Sequence, residues 1–494
     1  MPLGNDTSSG TARGSRIAVP EGPYLVVGLG RAGQAAAAAL AARAGPESVR
    51  AWAPAGDADA GPARRWLERT GIEVVDGEEA ALDAVRTAIK SPGIGLDHPL
   101  LAAARGKGIL VIDELELGWR LSTSPVVAVT GTNGKSTTVA LVEAVLRAGG
   151  RRPAVAGNVE ADQGMPLSAV PPDHGGWVVA EVSSYQAEGS PEFLPTAAVL
   201  TNLTEDHLRR HGSMSEYAAA KRRVFVRDDR CVELAVLNAD DVFGASLAGE
   251  VSERGGRVLT YGFDGAHDYH VSSLRTTLRE GLVGVDTPTG QVRIETRLPG
   301  PHNAANVAAT LALADGLGLA REPTLAALAA TPPVPGRFEP IELSRPFDVV
   351  VDFAHSPDGV RHVLRTAREL VAERKGRVIV VSASVARTHR PTSEALGREL
   401  RAGSDHLILS AMSSGSAPRM VALEGLLAGA REMDSGGLEV ILDRRAAIAR
   451  ALDMAGPGDL VAILGRGSDT RVAFDRRGGS GSFDDRQVVR ELLA

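Results

Sequence analysis

From Pro23 the chain alternates short apolar runs with longer stretches in which apolar residues recur at helical spacing, and each short run predicts a strand of an α/β fold. YLVVG leads through LGRAG into QAAAAALAARAG, so a strand, a glycine-rich turn and a helix open a parallel sheet. SVRAWAP, IEVVDG, AIKSPGI and ILVIDELEL follow as strands separated by helical spacers, which predicts a first domain over residues 23–123. A second unit begins at PVVAVTGTNGKSTTVALVEAVLRAG and continues through WVVAEVSS and AAVLTNL, apolar strands ending in polar residues. RVLTYGF, DYHVSSL and LVGVDT predict a small antiparallel insert, after which PHNAANVAATLALADGLG returns to helix. The Pro-rich TPPVPGRFEP near residue 335 reads as a linker. FDVVVDFA, RVIVVSAS, DHLILSA, LEVILD and DLVAILG supply a third set, so three α/β domains are expected, over 23–123, 124–335 and 336–494.

Composition fits that outline. A chain of 494 residues with 44% apolar side chains is more than one core organises. Its 56 glycines and 4% aromatic content suit α/β layers packed through small side chains better than an aromatic-rich sandwich. Lys and Arg number 54 against 61 Asp and Glu, a net charge of -7, which argues against a nucleic-acid partner or an anionic membrane surface and leaves local basic pockets open. The single cysteine, Cys231, cannot form an internal disulfide or a cysteine-only metal site, as suits a reducing cytoplasm. Residues 1–22 lack the apolar stretch of a secretory signal and are expected to be a disordered leader. No uninterrupted apolar run of about 18 residues occurs, so no membrane span is expected and the chain is assigned to the cytoplasm.

Candidate chemistry collects at strand ends. Gly28, Gly30 and Gly33 form GxGxxG after the first strand, where backbone amides can face phosphate. The next strand, SVRAWAP, lacks the carboxylate that would hold a dinucleotide ribose, so another diphosphate and a purely structural turn both stay open. VVAVTGTNGKSTTVAL places Gly131, Gly134, Lys135 and Ser136 between strand and helix, a phosphate loop in which Val129 stands where the strict spacing has glycine. A nucleoside triphosphate is expected there, with Ser136 and Glu181 in reach of Mg2+. TNLTEDHLRRH brings Asn202, Asp206 and His207 to the same sheet edge, where the histidine suggests a second metal position. HNAAN supplies His302, Asn303 and Asn306 at a helix start, with amides suited to a base or ribose or to a helix cap. Arg337 in GRFE, on the linker, is placed to clamp phosphate, and Asp352 and His355 end the first strand of the third domain. Arg444, Arg445 and Arg466 read as a solvated basic face.

In order and spacing, GTNGKST, EVSSYQ, NLTEDHL, HNAAN, GRFE and DFAHSPD resemble the Mur ligase family of ATP-dependent amino-acid ligases, from about residue 23 to the end. The resemblance implies a Rossmann-like N-terminal domain for the UDP end of the acceptor, a central ATPase domain and a Rossmann-like C-terminal domain for the incoming amino acid. VVGLGRAG, KSPGI, HPLL and VIDELEL look like the branch that adds D-glutamate to UDP-N-acetylmuramoyl-L-alanine. ATP would be held by Gly131, Thr132, Asn133, Gly134, Lys135, Ser136 and Thr137, by Asn303 and Asn306, and by Arg337 and Asp352 from the closing third domain. The acceptor would meet Gly28, Gly30, Gly33, Ser91, Pro92, Gly93, Asn158, Ser183 and His355. Lys135, His207 and Lys221 would be catalytic; Ser136, Glu181, His207 and Lys221 would serve Mg2+, with Lys221 matching a family lysine that is carbamylated. Because Lys135 and the pair Arg337 and Asp352 lie on different domains, a ligand-free chain is expected to hold them apart.

Departures from the family pattern fall on both halves. Val159, Glu160 and extra residues follow AGN where Ile-Gly is usual, and Arg209 replaces a frequent aspartate. The third domain lacks the serine-lysine pair of the D-glutamate branch and, with DRRAAIARAL, GRGSDT and SFDDRQVVREL, looks like the diaminopimelate- or lysine-adding branch. That branch's DNPR motif is absent, and LILSAMSSG stands in its place. The expected activity is glutamate addition, D ahead of L, with ADP and phosphate formed. L-glutamate addition, another amino acid, and a non-catalytic nucleotide-binding scaffold are the alternatives, and the last is opposed by intact Lys135, Glu181, His207 and Lys221.

Overall fold

All four residues of Tyr24–Val27 are buried, as befits a strand covered on both faces at the middle of a parallel sheet. The computed structural model describes residues 17–54, 60–160, 162–384, 390–411, 419–433, 436–473 and 480–494. In it the first sheet is wholly parallel, in the order Glu73–Val75, Val49–Trp52, Tyr24–Val27, Thr87–Lys90, Leu110–Asp113. Most of the expected leader, residues 1–16, lies outside the described residues. Gly28, at φ 94, turns the chain into helix Arg31–Ala44, and a Cβ on Gly33 would lie 1.8 Å from the Gly28 carbonyl oxygen. Gly30 has open space for a Cβ, so two of the three glycines are sterically required.

The alternation in ILVIDELEL predicts a strand throughout, but the strand stops at Asp113 and Glu114–Leu121 is helix. Asp113 caps it by accepting the Leu115 N–H at 3.0 Å, and Glu114 and Glu116 occupy the first turn, where the helix dipole favours carboxylates. Glu114 reaches into the neighbouring unit, where its Oε1 accepts the Ser168 N–H at 2.6 Å. Burial raises its carboxyl group from 4.5 to about 7. In that window the folded chain holds the proton more firmly than the unfolded chain, so stability falls as pH rises from 4.5 to 7, by about 3 kcal/mol in all. Glu114→Gln keeps an accepting oxygen and cannot ionise. It is expected to exceed the parent in stability at pH 8 and to match it near pH 4, measured by urea unfolding.

The central sheet runs Gly290–Thr296, Gly281–Thr287, Tyr269–Thr276, Arg257–Gly262, Leu234–Asn238, Ala197–Leu200, Val126–Thr130, Trp177–Glu181, Pro153–Gly157. Arg257–Gly262 pairs parallel with Leu234–Asn238 and so belongs to the main sheet. Tyr269–Thr276 continues that edge in parallel over two residues and then pairs antiparallel with Gly281–Thr287, itself antiparallel to Gly290–Thr296, so the expected antiparallel unit is present as the sheet's edge, without RVLTYGF. Helices Lys135–Ala148 and Pro301–Gly316 pack together on one face, the second with small residues buried along almost its whole length.

The third sheet begins with Glu339–Pro340 antiparallel to Asp348–Asp352 and continues in parallel through Leu460–Leu464, Val378–Ser384, His406–Ala411 and Leu438–Val440. Two of the three arginines expected on a solvated face are buried. Arg444 is paired with Asp485 at 2.6 Å, and Arg466 donates to the Asp469 carbonyl at 2.6 Å. Each guanidinium finds acceptors inside the domain, which sequence position alone does not reveal. Arg445 stays outside, paired with Glu491. Residues 412–418 of LILSAMSSG lie outside the described residues. Among the described residues no helix is long and apolar enough to cross a membrane.

Candidate active site

Strand Val126–Thr130 is flanked on both sides by parallel neighbours, so the loop that leaves it emerges at the middle of the sheet's carboxyl edge. Gly131 and Gly134 adopt φ 150 and 83, and a Cβ on either would strike Thr201 Oγ1 or Asn306 Oδ1, at 1.8 and 2.7 Å. The following strand end stitches the loop in place. Thr132 N donates to the Asn202 carbonyl and Asn133 N to Asn202 Oδ1, both at 2.9 Å, while Thr201 Oγ1 donates to the Asn133 carbonyl at 2.6 Å.

Two lysines hold loop carbonyls. Lys135 Nζ donates to Thr132 O at 2.8 Å and the buried Lys221 Nζ to Gly131 O at 2.7 Å. Burial lowers the pKa of both. Glu181 opposes the shift at Lys135, and the Lys135 charge adds to that of Lys221. Tyr217, one turn before Lys221 on helix Met214–Arg222, lays its ring 4.8 Å from Nζ and contacts Thr132 Oγ1 at 3.1 Å. Glu181, at the end of its strand, accepts from Ser136 Oγ at 2.8 Å and Asn158 Nδ2 at 3.2 Å.

The third domain meets this edge directly, contrary to the expected separation. Arg337 stacks on the Phe353 ring at 4.2 Å and brings Nη2 to 3.4 Å from Ser136 Oγ. Asp352 accepts from Phe338 N and Ala354 N, both at 2.6 Å, and so fastens the segment carrying Arg337 to the end of the strand that Phe353 follows. Burial raises that carboxyl group. Asp358, in the DFAHSPD motif but given no role by sequence reasoning, accepts from Asn133 Nδ2 at 3.1 Å and ties the loop to the third domain.

His207 has left-handed backbone, φ 55, at the start of Leu208–His211. Its Nε2 lies 3.6 Å from Asp206 Oδ2, and burial lowers its pKa to about 4, so the ring is neutral at pH 7. A cavity of about 930 Å³ opens over these groups. Its walls carry residues 132–137, Asn158, Glu181, Asn202, Asp206 and His207, then Asn303 and Asn306, and opposite them Arg337, Asp352 and His355.

Not every predicted residue reaches the cavity. Neither Lys221 nor Gly131 is on its walls: the Lys221 amine lies beneath the loop and donates to the Gly131 carbonyl. Ser183 caps helix Ser184–Glu188 in a reciprocal pair with Gln186. The amides of Asn303 and Asn306 are partly committed, Asn303 Nδ2 to Pro299 O at 2.7 Å and Asn306 Oδ1 to Thr138 Oγ1 at 3.2 Å. Gly28 and Ser91 meet at the first sheet's edge, where Ser91 Oγ donates to Gly28 O at 3.0 Å, away from the cavity lining. Arg31 joins that edge to the central unit by donating to Val159 O at 3.1 Å and Gly164 O at 2.7 Å.

Among the described residues, no three His, Cys, Asp or Glu side chains gather as a metal-binding group. Ser136 and Glu181 nevertheless offer hard oxygen donors beside the loop, a set that suits Mg2+ completed by phosphate and water oxygens.

Comparison with known proteins agrees with this geometry. A family model described as the Mur ligase middle domain matches residues 129–314, and one described as Mur ligase, glutamate ligase domain matches residues 336–467. The chain is 33% identical over 388 residues to the UDP-N-acetylmuramoyl-L-alanyl-D-glutamate--2,6-diaminopimelate ligase of Aquifex aeolicus, covering 74% of this chain and 77% of that one. It is 32% identical over 480 residues to the UDP-N-acetylmuramoylalanine--D-glutamate ligase of a Jannaschia species, covering 92% and 96%. The crystal structure of UDP-N-acetylmuramate-alanine ligase from Thermotoga maritima shares the fold, with a TM-score of 0.61 at 20% identity over 96% of this chain and 98% of that one.

Proposed function

The chain belongs to the Mur ligase family, and from that premise we propose that it couples glutamate, D ahead of L, to UDP-N-acetylmuramoyl-L-alanine in the cytoplasm. The wider activity is that of the family: an ATP-dependent, amide-forming ligase of peptidoglycan synthesis that adds an amino acid to a UDP-N-acetylmuramoyl acceptor. What supports the glutamate reading is the Jannaschia relative, which aligns over 92% of this chain, while relatives named as diaminopimelate-adding ligases align over 74–85% and a second D-glutamate ligase over 60%.

The chemistry asks why a carboxylate, a poor electrophile, should meet ATP, which it repels. Lys135, Arg337 and the amides of the loop gather positive charge at one end of the cavity, where the γ-phosphate and the acceptor carboxylate can approach. The carboxylate oxygen attacks the γ-phosphorus and ADP leaves, giving an acyl phosphate. The amine of the amino acid then adds to the acyl carbon, and the tetrahedral intermediate loses phosphate and a proton to give the amide. Arg337 stacks on Phe353, so the placement of the third domain against the loop sets how tightly the phosphates are held. Ser136, Glu181 and His207 would hold Mg2+, which when bound neutralises phosphate charge.

A second reading, addition of 2,6-diaminopimelate to a UDP-N-acetylmuramoyl-L-alanyl-D-glutamate acceptor, is favoured by the name of the Aquifex relative. Phosphate release measured with each acceptor against D-glutamate, L-glutamate, meso-diaminopimelate and L-lysine tests both. Release that requires UDP-N-acetylmuramoyl-L-alanine with D-glutamate is expected. Release only with the dipeptide acceptor and diaminopimelate would replace the first reading by the second.

A further inference from the structure

Tyr185 sits one residue into helix Ser184–Glu188, immediately beyond the strand that ends in Glu181. The reciprocal cap between Ser183 and Gln186 fixes that first turn, and the Arg210 guanidinium lies 5.1 Å over the tyrosine ring while pairing with Glu188. Held from both sides, the phenol oxygen comes to 3.2 Å from His207 Nδ1. The two rings are tilted with centroids 5.0 Å apart, and the Tyr217 ring stands edge-on to the imidazole at 5.9 Å. His207 itself occupies left-handed backbone, a conformation that costs a non-glycine residue about 1 kcal/mol and persists only where surroundings enforce it.

An imidazole can serve a cation through one nitrogen only when the other carries the proton, and the partner of that other nitrogen decides the tautomer. We propose that the Tyr185 hydroxyl is a positioning group for His207: its oxygen accepts the Nδ1–H and leaves the lone pair on Nε2, beside Asp206 at the cavity wall. The tyrosine touches neither nucleotide nor acceptor in this role and acts through the histidine alone. The inference rests on the reading of His207 as a Mg2+ ligand, and it assigns to a side chain of the EVSSYQ motif a function that the motif's Glu181 does not supply.

Tyr185→Phe removes one oxygen and keeps the ring that packs on Arg210 and His211. Mn2+ binding, titrated by EPR in the presence of a non-hydrolysable ATP analogue, is expected to weaken about 10–100-fold. The half-saturating Mg2+ concentration in turnover should rise by the same factor while KM for the amino acid holds. His207→Ala and Tyr185→Leu complete the set. If His207→Ala weakens Mn2+ binding and Tyr185→Phe does not, the positioning role is overturned and the ligand reading stands. If His207→Ala leaves Mn2+ binding unchanged, the ligand reading fails and takes the inference with it. If only Tyr185→Leu weakens binding, the ring's packing and not its hydroxyl is responsible, and the proposal is again overturned.

Discussion

Lys135→Ala should lower kcat/KM for amide formation by about 10²–10³-fold, the loss seen when one preorganised donor to a developing anion is removed. Lys135 is the side chain of the loop whose ammonium is already directed back over it, by the 2.8 Å bond to Thr132 O, and it stands within electrostatic reach of Glu181, Arg337 and Asp206. Without phosphate, its charge is shared between a carbonyl and the neighbouring carboxylates. When the γ-phosphate arrives, the same ammonium can leave the carbonyl for oxygens that gain charge as the acyl phosphate forms. Arg337 reaches the same edge from the third domain but lies against Ser136 and not over the loop carbonyls, so it is not expected to substitute. The effect should fall mainly on kcat, because the loop amides still bind the nucleotide. Phosphate release at saturating substrates, with urea unfolding to check the fold, decides it. Turnover at the parental rate in a folded Lys135→Ala protein would remove the charge-gathering account of the site.

The central loop was legible in the sequence because its requirements are local: two positive-φ glycines, a strand before and a helix after, and a lysine at the helix start. Glu181 and His207 were legible for the related reason that strand ends in a parallel sheet share an edge. What escaped depends on contacts between distant segments. The burial of Arg444 needs Asp485, 41 residues away, and nothing in DRRAAIARAL announces it. The helix in ILVIDELEL hides behind an alternation that fits either period, and only the Asp113 cap decides. Asp358 and Tyr185 lie inside DFAHSPD and EVSSYQ, yet their partners Asn133 and His207 are 225 and 22 residues off in sequence. The small side chains of Pro301–Gly316 mark a buried helix, but not that it backs the central glycine loop through Asn306 and Thr138.

Lys221→Met is expected to cost about 10²-fold in kcat, the penalty of a small misplacement of reacting groups, while changing the pH dependence of stability in a direction that can be worked out. The amine is buried under the loop and is the donor to Gly131 O, at the point where φ 150 turns the chain toward Lys135. Methionine fills a similar volume and gives that carbonyl no partner, so the loop loses the anchor on which the phosphate amides depend. Burial, and then the charge of Lys135, holds the Lys221 pKa well below 10.5 in the folded chain. Unfolding therefore takes up a proton at any pH between that lowered value and 10.5, and parental stability rises as pH rises through the window. Lys135 contributes in the same sense, so Lys221→Met should flatten the rise without abolishing it. Urea unfolding at pH 7, 8 and 9 reads the slope, and phosphate release on the same samples reads the activity. A variant with the parental slope would show that burial does not lower the Lys221 pKa; one with parental turnover would show that the loop keeps its geometry without it.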